Sequence, residues 1–257
     1  MNLGELWEFR ELFYLLVWRD VRVRYKQTVL GIAWAVVQPL LTMVVFSIFF
    51  GRLGGIESDG IPYPVFTFCA LLPWQLFSFS LTEASGSVVA NQRMLTKIYF
   101  PKLLLPLASV AVGTVDFVVS FGVLLALMAW YGMAPGLAVL TIPMWAALAA
   151  TTAVAVSLWL SALNVRYRDV RYTLPFLAQL WLLSTPVAYP TSLVPEAWQP
   201  WYALNPMVGV VDGFRWALVG GTPPGATSLV SLGVVMALLV GGLIYFRRTE
   251  RTFADSI

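Results

Sequence analysis

The sequence predicts an all-α polytopic membrane protein with six transmembrane helices, an N-terminal interfacial helix and a half-helix hairpin before the last span. Three observations support this fold class. Hydrophobic residues make up 59% of the 257 residues and charged residues only 11%, whereas soluble domains carry about 25% charged residues. Uncharged stretches recur at lengths that cross the ~30 Å hydrocarbon core as helices. The cations gather in short segments between those stretches.

The first predicted span follows a cluster of positive charge that we call the basic collar. The collar consists of four cations: Arg19, Arg22, Arg24 and Lys26. Leu30 and Gly31 mark a turn, and residues 30–50 are uncharged, which is long enough to cross the membrane. Such a collar indicates the cytoplasmic side of a first span. It can also hold an anionic ligand at the membrane surface, and the sequence leaves both readings open.

The residues before the collar predict a helix in the cytoplasmic interface. Residues 3–18 are rich in Trp, Phe and Tyr but have no uncharged run long enough to span, which is typical of interfacial helices. A helix packed on the bundle is compatible with the same pattern. Acidic residues at Glu5, Glu8 and Glu11 argue against a cleavable signal peptide.

The remaining segments predict one transmembrane domain over residues 1–257 with both termini cytoplasmic. Its parts are the interfacial helix and collar (1–29), spans one to five (30–189), an external hairpin (190–225), span six (226–246) and a tail (247–257). Of the 16 Lys and Arg residues, 14 fall in the segments that this topology places inside. The exceptions are Arg52 and Arg215, so the positive-inside rule supports the topology.

The external hairpin, residues 190–225, contains two apolar pieces that are each too short to span. Asn205 followed by Pro206 is a typical start of a helix. Asp212 and Arg215 are three residues apart and can pair on one helix face. We therefore expect two half-helices that dip into or cap the outer leaflet. The alternative is an exposed loop, although 36 structureless residues would be unusual.

The motifs of enzymes and of metal or nucleotide sites are missing from the sequence. No glycine-rich P-loop precedes any of its lysines, it has no histidine, and it has a single cysteine, Cys69. We predict no catalytic residue, metal site or cofactor in this chain. The net charge of +3 comes from segments that flank the membrane, so it does not indicate nucleic-acid binding.

Two carboxylates lie inside predicted spans, where charge is costly and usually functional. Glu83 and Asp116 each share a helix face with small polar residues, so hydrogen bonding between helices is one explanation. A proton relay is another. Aromatic residues also fall within spans, among them Trp74, Phe77 and Trp181. Aromatic faces suit passing sugar rings, but core packing explains most of them.

Four motifs resemble a known family in their order and spacing. They are RYKQTVLGIAWAVVQPLLTMVVFSIFFG, LTKIYFPKLLLPLA, VRYRDVRYTLPFLAQLWLLSTPVAYP and LNPMVGVVDGFRWAL. Together they are similar to the membrane subunit of ABC transporters that export polysaccharides, the Wzm type, and to teichoic-acid export permeases. This resemblance implies a homodimer in the bacterial inner membrane with two ATP- and Mg-binding Wzt-type subunits. Its substrate would be a glycan, such as O-antigen, on a polyprenyl diphosphate lipid.

The resemblance also implies roles for particular residues. The lipid diphosphate would bind at the collar and the adjoining turn: Arg19, Arg22, Arg24, Lys26, Leu30 and Gly31. An ATPase-coupling helix would include Asn91, Arg93, Met94, Leu95 and Lys97. The translocation path would include Trp74, Phe77, Glu83, Asp116, Trp181 and Tyr189. An external gate would include Trp198, Trp201, Tyr202, Asp212 and Arg215.

Two alternative functions stay open at the level of sequence. An exporter of another bulky lipid or of a drug would use the same fold. A proton-coupled secondary transporter would use Asp116 and Glu83 as a relay, although such relays usually recruit more ionisable groups.

Overall fold

In a computed structural model, the chain is described over residues 3–26, 31, 33–221, 223–250 and 253. Within these ranges it forms helices and no strand, as predicted. The α-helices are α1 Leu3–Glu8, α2 Arg10–Lys26, α3 Ala33–Phe46, α4 Tyr63–Ala90, α5 Gln92–Leu95, α6 Leu104–Trp130, α7 Ile142–Arg166, α8 Val170–Leu183, α9 Gln199–Tyr202, α10 Pro206–Val219 and α11 Ala226–Glu250. A π-helical turn, Ser47–Leu53, continues α3.

Five helical segments of the described chain are long and apolar enough to cross a membrane. They are Ala33–Leu53, Tyr63–Ala90, Leu104–Trp130, Leu137–Arg166 and Thr227–Glu250. These correspond to predicted spans one, two, three, four and six. Predicted span five is a helix of 14 residues, α8, followed by turns over residues 184–189. At ~1.5 Å per residue this helix is only about 21 Å long. It ends at the C-cap Ser184, and hydrogen bonds from Tyr63 and Arg215 hold the turns that follow.

The central helix of the bundle is α4. In its most apolar stretch of 18 residues, 78% of the residues are buried inside the bundle, whereas the corresponding share in the other four candidate spans is 17–39%. It packs against α6 and α7 along its length and also contacts α3, α8 and α10. Close approach to α6 depends on Gly113, where a Cβ would lie 2.8 Å from both Phe79 Cδ1 and Ser80 Oγ.

The two ends of the bundle differ in charge. We call the end formed by residues 91–102 and 166–170 the basic end, and that formed by residues 54–62 and 131–141 the opposite end. At the basic end, Lys102 Nζ donates to the Glu250 carbonyl oxygen at 2.7 Å and ties α11 to the loop before α6. The Tyr99 hydroxyl donates to Glu5 at 3.1 Å. The N-terminal helix α1 therefore also lies at the basic end.

The N-terminal helices run beside the first half of α6. Leu16 of α2 is buried in a cluster with residues 104, 105 and 108 of α6, and Arg24, farther along α2, meets Asp116. Ala35, at the start of α3, accepts a hydrogen bond from Ser120 of α6 at 2.7 Å. The end of α2 and the start of α3 thus both lie near the middle of α6.

Candidate functional site

A polar cavity of about 420 Å³ lies within the bundle between α2, α3, α4, α6 and α8. We call it the central cavity. Its charged side chains are Arg24, Glu83 and Asp116. The uncharged polar side chains that line it are Gln38, Thr42, Gln75, Ser78, Thr82 and Ser120, and its aromatic side chains are Trp34, Trp74, Phe79 and Phe117.

Arg24 and Asp116 form an ion pair in the wall of the cavity. Arg24 Nη2 lies 2.7 Å from Asp116 Oδ2, with side-chain exposures of 33% and 17%. The guanidinium also lies 4.1 Å above the centre of the Phe79 ring, a stabilising cation–π contact. The sequence assigned Arg24 to the diphosphate site and Asp116 to the translocation path. Tertiary structure joins the two predicted sites through these residues.

Glu83 lies on the same cavity but outside that pair. Its side chain is exposed, and the described residues provide it with neither an ion pair nor a side-chain hydrogen bond. The small polar residues predicted to share its face diverge in the fold: Ser80 and Ser87 are buried. Glu83 therefore contributes an uncompensated carboxylate to the cavity.

The other collar residues are more exposed. Arg19 pairs with its neighbour Asp20 at 2.7 Å, and the Arg22 guanidinium lies 5.3 Å from the centre of the Trp18 ring. Lys26, the last residue of α2, is exposed. Gly31 has φ +51°, a left-handed conformation that favours glycine. Leu30, also predicted to bind the diphosphate, lies outside the described residues.

The segment predicted to couple to the ATPase, residues 91–99, which we call the coupling loop, contains the single helical turn α5. Arg93 and Lys97 are exposed, as expected for a docking surface. Met94 and Leu95, expected to face the ATPase, instead pack against buried residues of α2 and α6 in their own chain. The exposed apolar side chains of this loop are those of Ile98 and Tyr99. Asn91 ends α4, where its amide donates to the Ser87 carbonyl.

The aromatic residues assigned to the translocation path are mostly core residues. Trp74 and Phe77 are 4% and 0% exposed. Phe77 packs edge-on against Trp181 of α8, with ring centres 4.9 Å apart. The Trp181 indole donates to Asn205 Oδ1 at 2.9 Å. These rings fasten α8 and the start of α10 to the middle of α4, and only Trp74 among them also lines the central cavity.

The external hairpin is tied together by Arg215 and Asp212, but these two side chains do not form the ion pair that we predicted. Arg215 Nη2 donates to the Val187 carbonyl oxygen at 3.0 Å and Nη1 to that of Tyr189 at 3.3 Å. Asp212 instead accepts from the Thr191 hydroxyl at 2.7 Å. Burial raises the pKa of the Asp212 carboxyl, and the Thr191 hydrogen bond opposes that rise. Arg215 turns toward the segment after α8 because its non-helical backbone leaves carbonyl groups to satisfy.

The remaining residues of the predicted gate are Trp198, Trp201 and Tyr202, and the last of these meets Tyr189, which we assigned to the translocation path. Trp198 and Trp201 are 64% and 68% exposed. The hydroxyls of Tyr189 and Tyr202 lie 3.0 Å apart. Trp201 and Tyr202 also line a shallower depression between α8, α10 and α11.

Sequence reasoning missed most of the uncharged lining of the central cavity. Gln38, Thr42 and Gln75 are polar residues within apolar helices, which is the signal that could have identified them. Gln38 and Thr42 share one face of α3, whereas Gln75 is on α4, so the sequence could not show that the three share one space. In the described residues, no group of three His, Cys, Asp or Glu side chains could hold a metal ion.

The fold and its cavity define a multi-pass helical membrane protein with a polar space inside its bundle. The chain belongs to the ABC-2 type transporter family, whose model matches residues 11–219. This match covers every helix from α2 to α10. It therefore includes the collar, the cavity, the coupling loop and the external hairpin.

Similar proteins are found over nearly the whole chain. The O-antigen export system permease protein RfbA of Myxococcus xanthus is 32% identical over 257 residues, which cover 98% of both chains. A protein of the same name from Klebsiella pneumoniae is 29% identical over 255 residues, 99% of this chain and 96% of that one. The polysialic acid transport protein KpsM of Escherichia coli is 23% identical over 239 residues, 90% and 91% of the two chains.

Proposed function

We propose that this chain is the membrane permease of an ABC exporter that moves a polysaccharide on a polyprenyl diphosphate lipid across the bacterial inner membrane. ATP would be hydrolysed by separate subunits. The observation that carries the proposal is the end-to-end similarity to O-antigen export permeases, 32% over 98% of both chains. Membership of the ABC-2 family disfavours the proton-relay alternative, and the pairing of Asp116 with Arg24 also argues against Asp116 as a freely titrating relay.

We further propose six membrane crossings, with α8 and the turn after it forming the fifth. The amide of Asn164, near the basic end, donates to the Ser85 carbonyl oxygen at 3.0 Å. Tyr63, at the opposite end of α4, donates to the Ala188 carbonyl oxygen. The chain therefore travels between the two ends over residues 164–188. With six crossings both termini lie on the basic side, which the positive-inside rule assigns to the cytoplasm.

The external hairpin would be re-entrant in this arrangement. Thr191 contacts Asp212 near the opposite end, whereas Asn205 contacts Trp181, which packs on Phe77 in the middle of α4. From Asn205, α10 returns toward the opposite end, where Arg215 lies 3.7 Å above the Phe66 ring. This path supports a half-helix hairpin that closes the outer side of the translocation route.

The collar and the cavity suggest where the substrate first binds. A helix of 28 residues such as α4 is about 42 Å long, so its basic end projects beyond the ~30 Å hydrocarbon core. The collar begins toward that end at Arg19 and reaches the middle of α6 at Arg24, beside Asp116. Exposed Arg22 could hold a diphosphate in bidentate geometry, with Lys26 adding charge. Two copies of the chain would enclose the route, and each coupling loop would dock on one ATPase subunit.

The decisive experiment is reconstitution with the partner ATPase. The permease and the ATPase encoded beside it should co-purify from membranes. ATP hydrolysis by the reconstituted complex should rise when a polyprenyl-diphosphate-linked glycan is added, and the glycan should cross the membrane only with ATP. If a bulky lipid without a glycan stimulates ATP hydrolysis equally well, the substrate is another lipid. If the permease binds no ATPase subunit, the proposal that it belongs to an ABC exporter is wrong.

A further inference from the structure

The charges of the central cavity do not balance. Of the described residues that line it, Arg24 is the one cation, and its guanidinium is neutralised by Asp116 at 2.7 Å. Glu83 is the other charged group, and the described part of the chain places no cation in an ion pair with it. The cavity therefore carries a net charge of about −1. That sign is opposite to the one expected for a space that accepts the negative part of an anionic substrate.

The uncharged lining has the chemistry of sugar recognition. Amide groups of Gln38 and Gln75 and hydroxyl groups of Thr42, Ser78 and Thr82 supply both hydrogen-bond donors and acceptors. Trp34 and Phe79 present aromatic rings to the same space. A sugar ring offers hydroxyls at its edge and C–H groups on its faces, so it complements this mixture. A volume of about 420 Å³ is within the range of small-ligand sites.

We propose that the central cavity binds uncharged sugar residues next to the lipid carrier and discriminates against acidic ones, with Glu83 as the residue that sets this preference. The proposal rests on the proposed function, since it assumes a lipid-linked glycan. The collar and the cavity then divide the substrate between them. Exposed Arg22 and Lys26 attract the diphosphate outside the cavity, while the acidic cavity admits the neutral sugars that follow.

Geometry supports this division of roles. Arg24 is the collar residue that reaches the cavity, and it is occupied by Asp116 and by the Phe79 ring. It is therefore not available as a phosphate ligand unless the ion pair opens. A uronic or sialic acid in the same space would face the Glu83 carboxylate without a compensating cation. Because the Glu83 side chain is exposed, salt screens this repulsion in part and it acts over short distances.

The test uses the permease–ATPase complex in lipid nanodiscs and two synthetic probes of equal length. Both are oligosaccharides on polyprenyl diphosphate; one contains only neutral hexoses and the other a uronic acid at every second position. The measured quantity is the probe concentration that gives half-maximal stimulation of ATP hydrolysis. For the wild-type complex, we expect this concentration to be at least about tenfold higher for the acidic probe than for the neutral probe. Glu83→Gln should narrow the difference to about threefold by improving the response to the acidic probe.

A matched control is Glu57→Gln, because Glu57 is an exposed carboxylate of the opposite end; it should leave the preference unchanged. Equal response of the wild-type complex to both probes would overturn the charge preference while leaving the proposed function intact. Stimulation by neither probe would overturn both. The wild-type comparison decides the question even if Glu83→Gln fails to assemble. If the variant assembles and retains the full preference, Glu83 is not its source.

Discussion

Arg24 of α2 and Asp116 of α6 meet through a 2.7 Å ion pair that fastens the end of α2 to the middle of the bundle. The two residues are 92 positions apart in the sequence. Each compensates the charge of the other in a partly buried setting, and the Phe79 ring supports the guanidinium from one side. Loss of either partner leaves an uncompensated charge.

The first prediction concerns this ion pair. Arg24→Gln and Asp116→Asn should each lower the free energy of unfolding by about 1–3 kcal/mol, because each leaves a charged group without its partner. The double variant should lose less than the sum of the two. Thermal unfolding of the purified protein in detergent measures all three. Strictly additive losses would mean that the pair contributes no coupling energy.

The second prediction separates charge from geometry in the collar. Arg22→Lys should reduce export strongly while keeping membrane insertion, because lysine retains the charge but loses the bidentate fork. Lys26→Arg is the matched control and should export like the wild type. The measurement is surface glycan per assembled transporter. If Arg22→Lys exports normally and Arg22→Ala does not, the collar supplies positive charge alone.

The third prediction concerns the coupling loop. Ile98→Asp together with Tyr99→Asp should release the ATPase subunit without unfolding the permease, because both side chains are exposed at the basic end. In the wild type, the hydrogen bond to Glu5 raises the pKa of Tyr99. The Tyr99 variant removes this hydrogen bond. Co-purification of the ATPase measures docking. Normal retention of the ATPase by this variant would place the docking surface elsewhere.

A companion variant tests the inward-facing residues of the same loop. Met94 and Leu95 pack inside their own chain. Met94→Asp with Leu95→Asp should therefore lower thermal stability and yield, because it buries charge in an apolar cluster. A stable double variant that merely loses the ATPase would show that these residues face the partner after all.

The fourth prediction is topological. Ser58→Cys should react with a membrane-impermeant maleimide in intact cells, and Arg168→Cys only after the inner face is opened. The native chain is a suitable background because Cys69 is 0% exposed. Labelling of Arg168→Cys in intact cells would contradict the orientation derived from the cation distribution.

The fifth prediction concerns the packing of the external hairpin on α7. A Cβ at Gly213 of α10 would overlap the Trp145 indole. Gly213→Ala should therefore cost about 1–3 kcal/mol of stability through overpacking. Gly122→Ala is the matched control, because a Cβ there meets no atom within 4 Å and alanine favours the helix. Equal melting temperatures for the two variants would show that α10 is not held tightly at this point.

Sequence patterns determined the helical class, the apolar segments and the end of the bundle that is basic. These properties depend on local composition, since each transmembrane helix satisfies its own backbone hydrogen bonds whatever its neighbours are. The start of α10 was equally local: the Asn205 side chain accepts from the Met207 amide at 3.1 Å, as its N-cap pattern predicted. The length of α8 did not follow from local sequence, because the turn after it is held by Tyr63 and Arg215 from other helices.

Tertiary structure alone decided which polar residues share a space. From the sequence we assigned Arg24 and Asp116 to different sites and expected Asp212 to pair with Arg215. In the fold, Arg24 pairs with Asp116, and Asp212 accepts from Thr191 instead. It also turned Met94 and Leu95 inward and gathered polar residues of four helices around one cavity. A polar side chain inside an apolar bundle pairs with whichever charge or backbone group the packing brings near. The distance in space between two such groups does not depend on their separation along the chain.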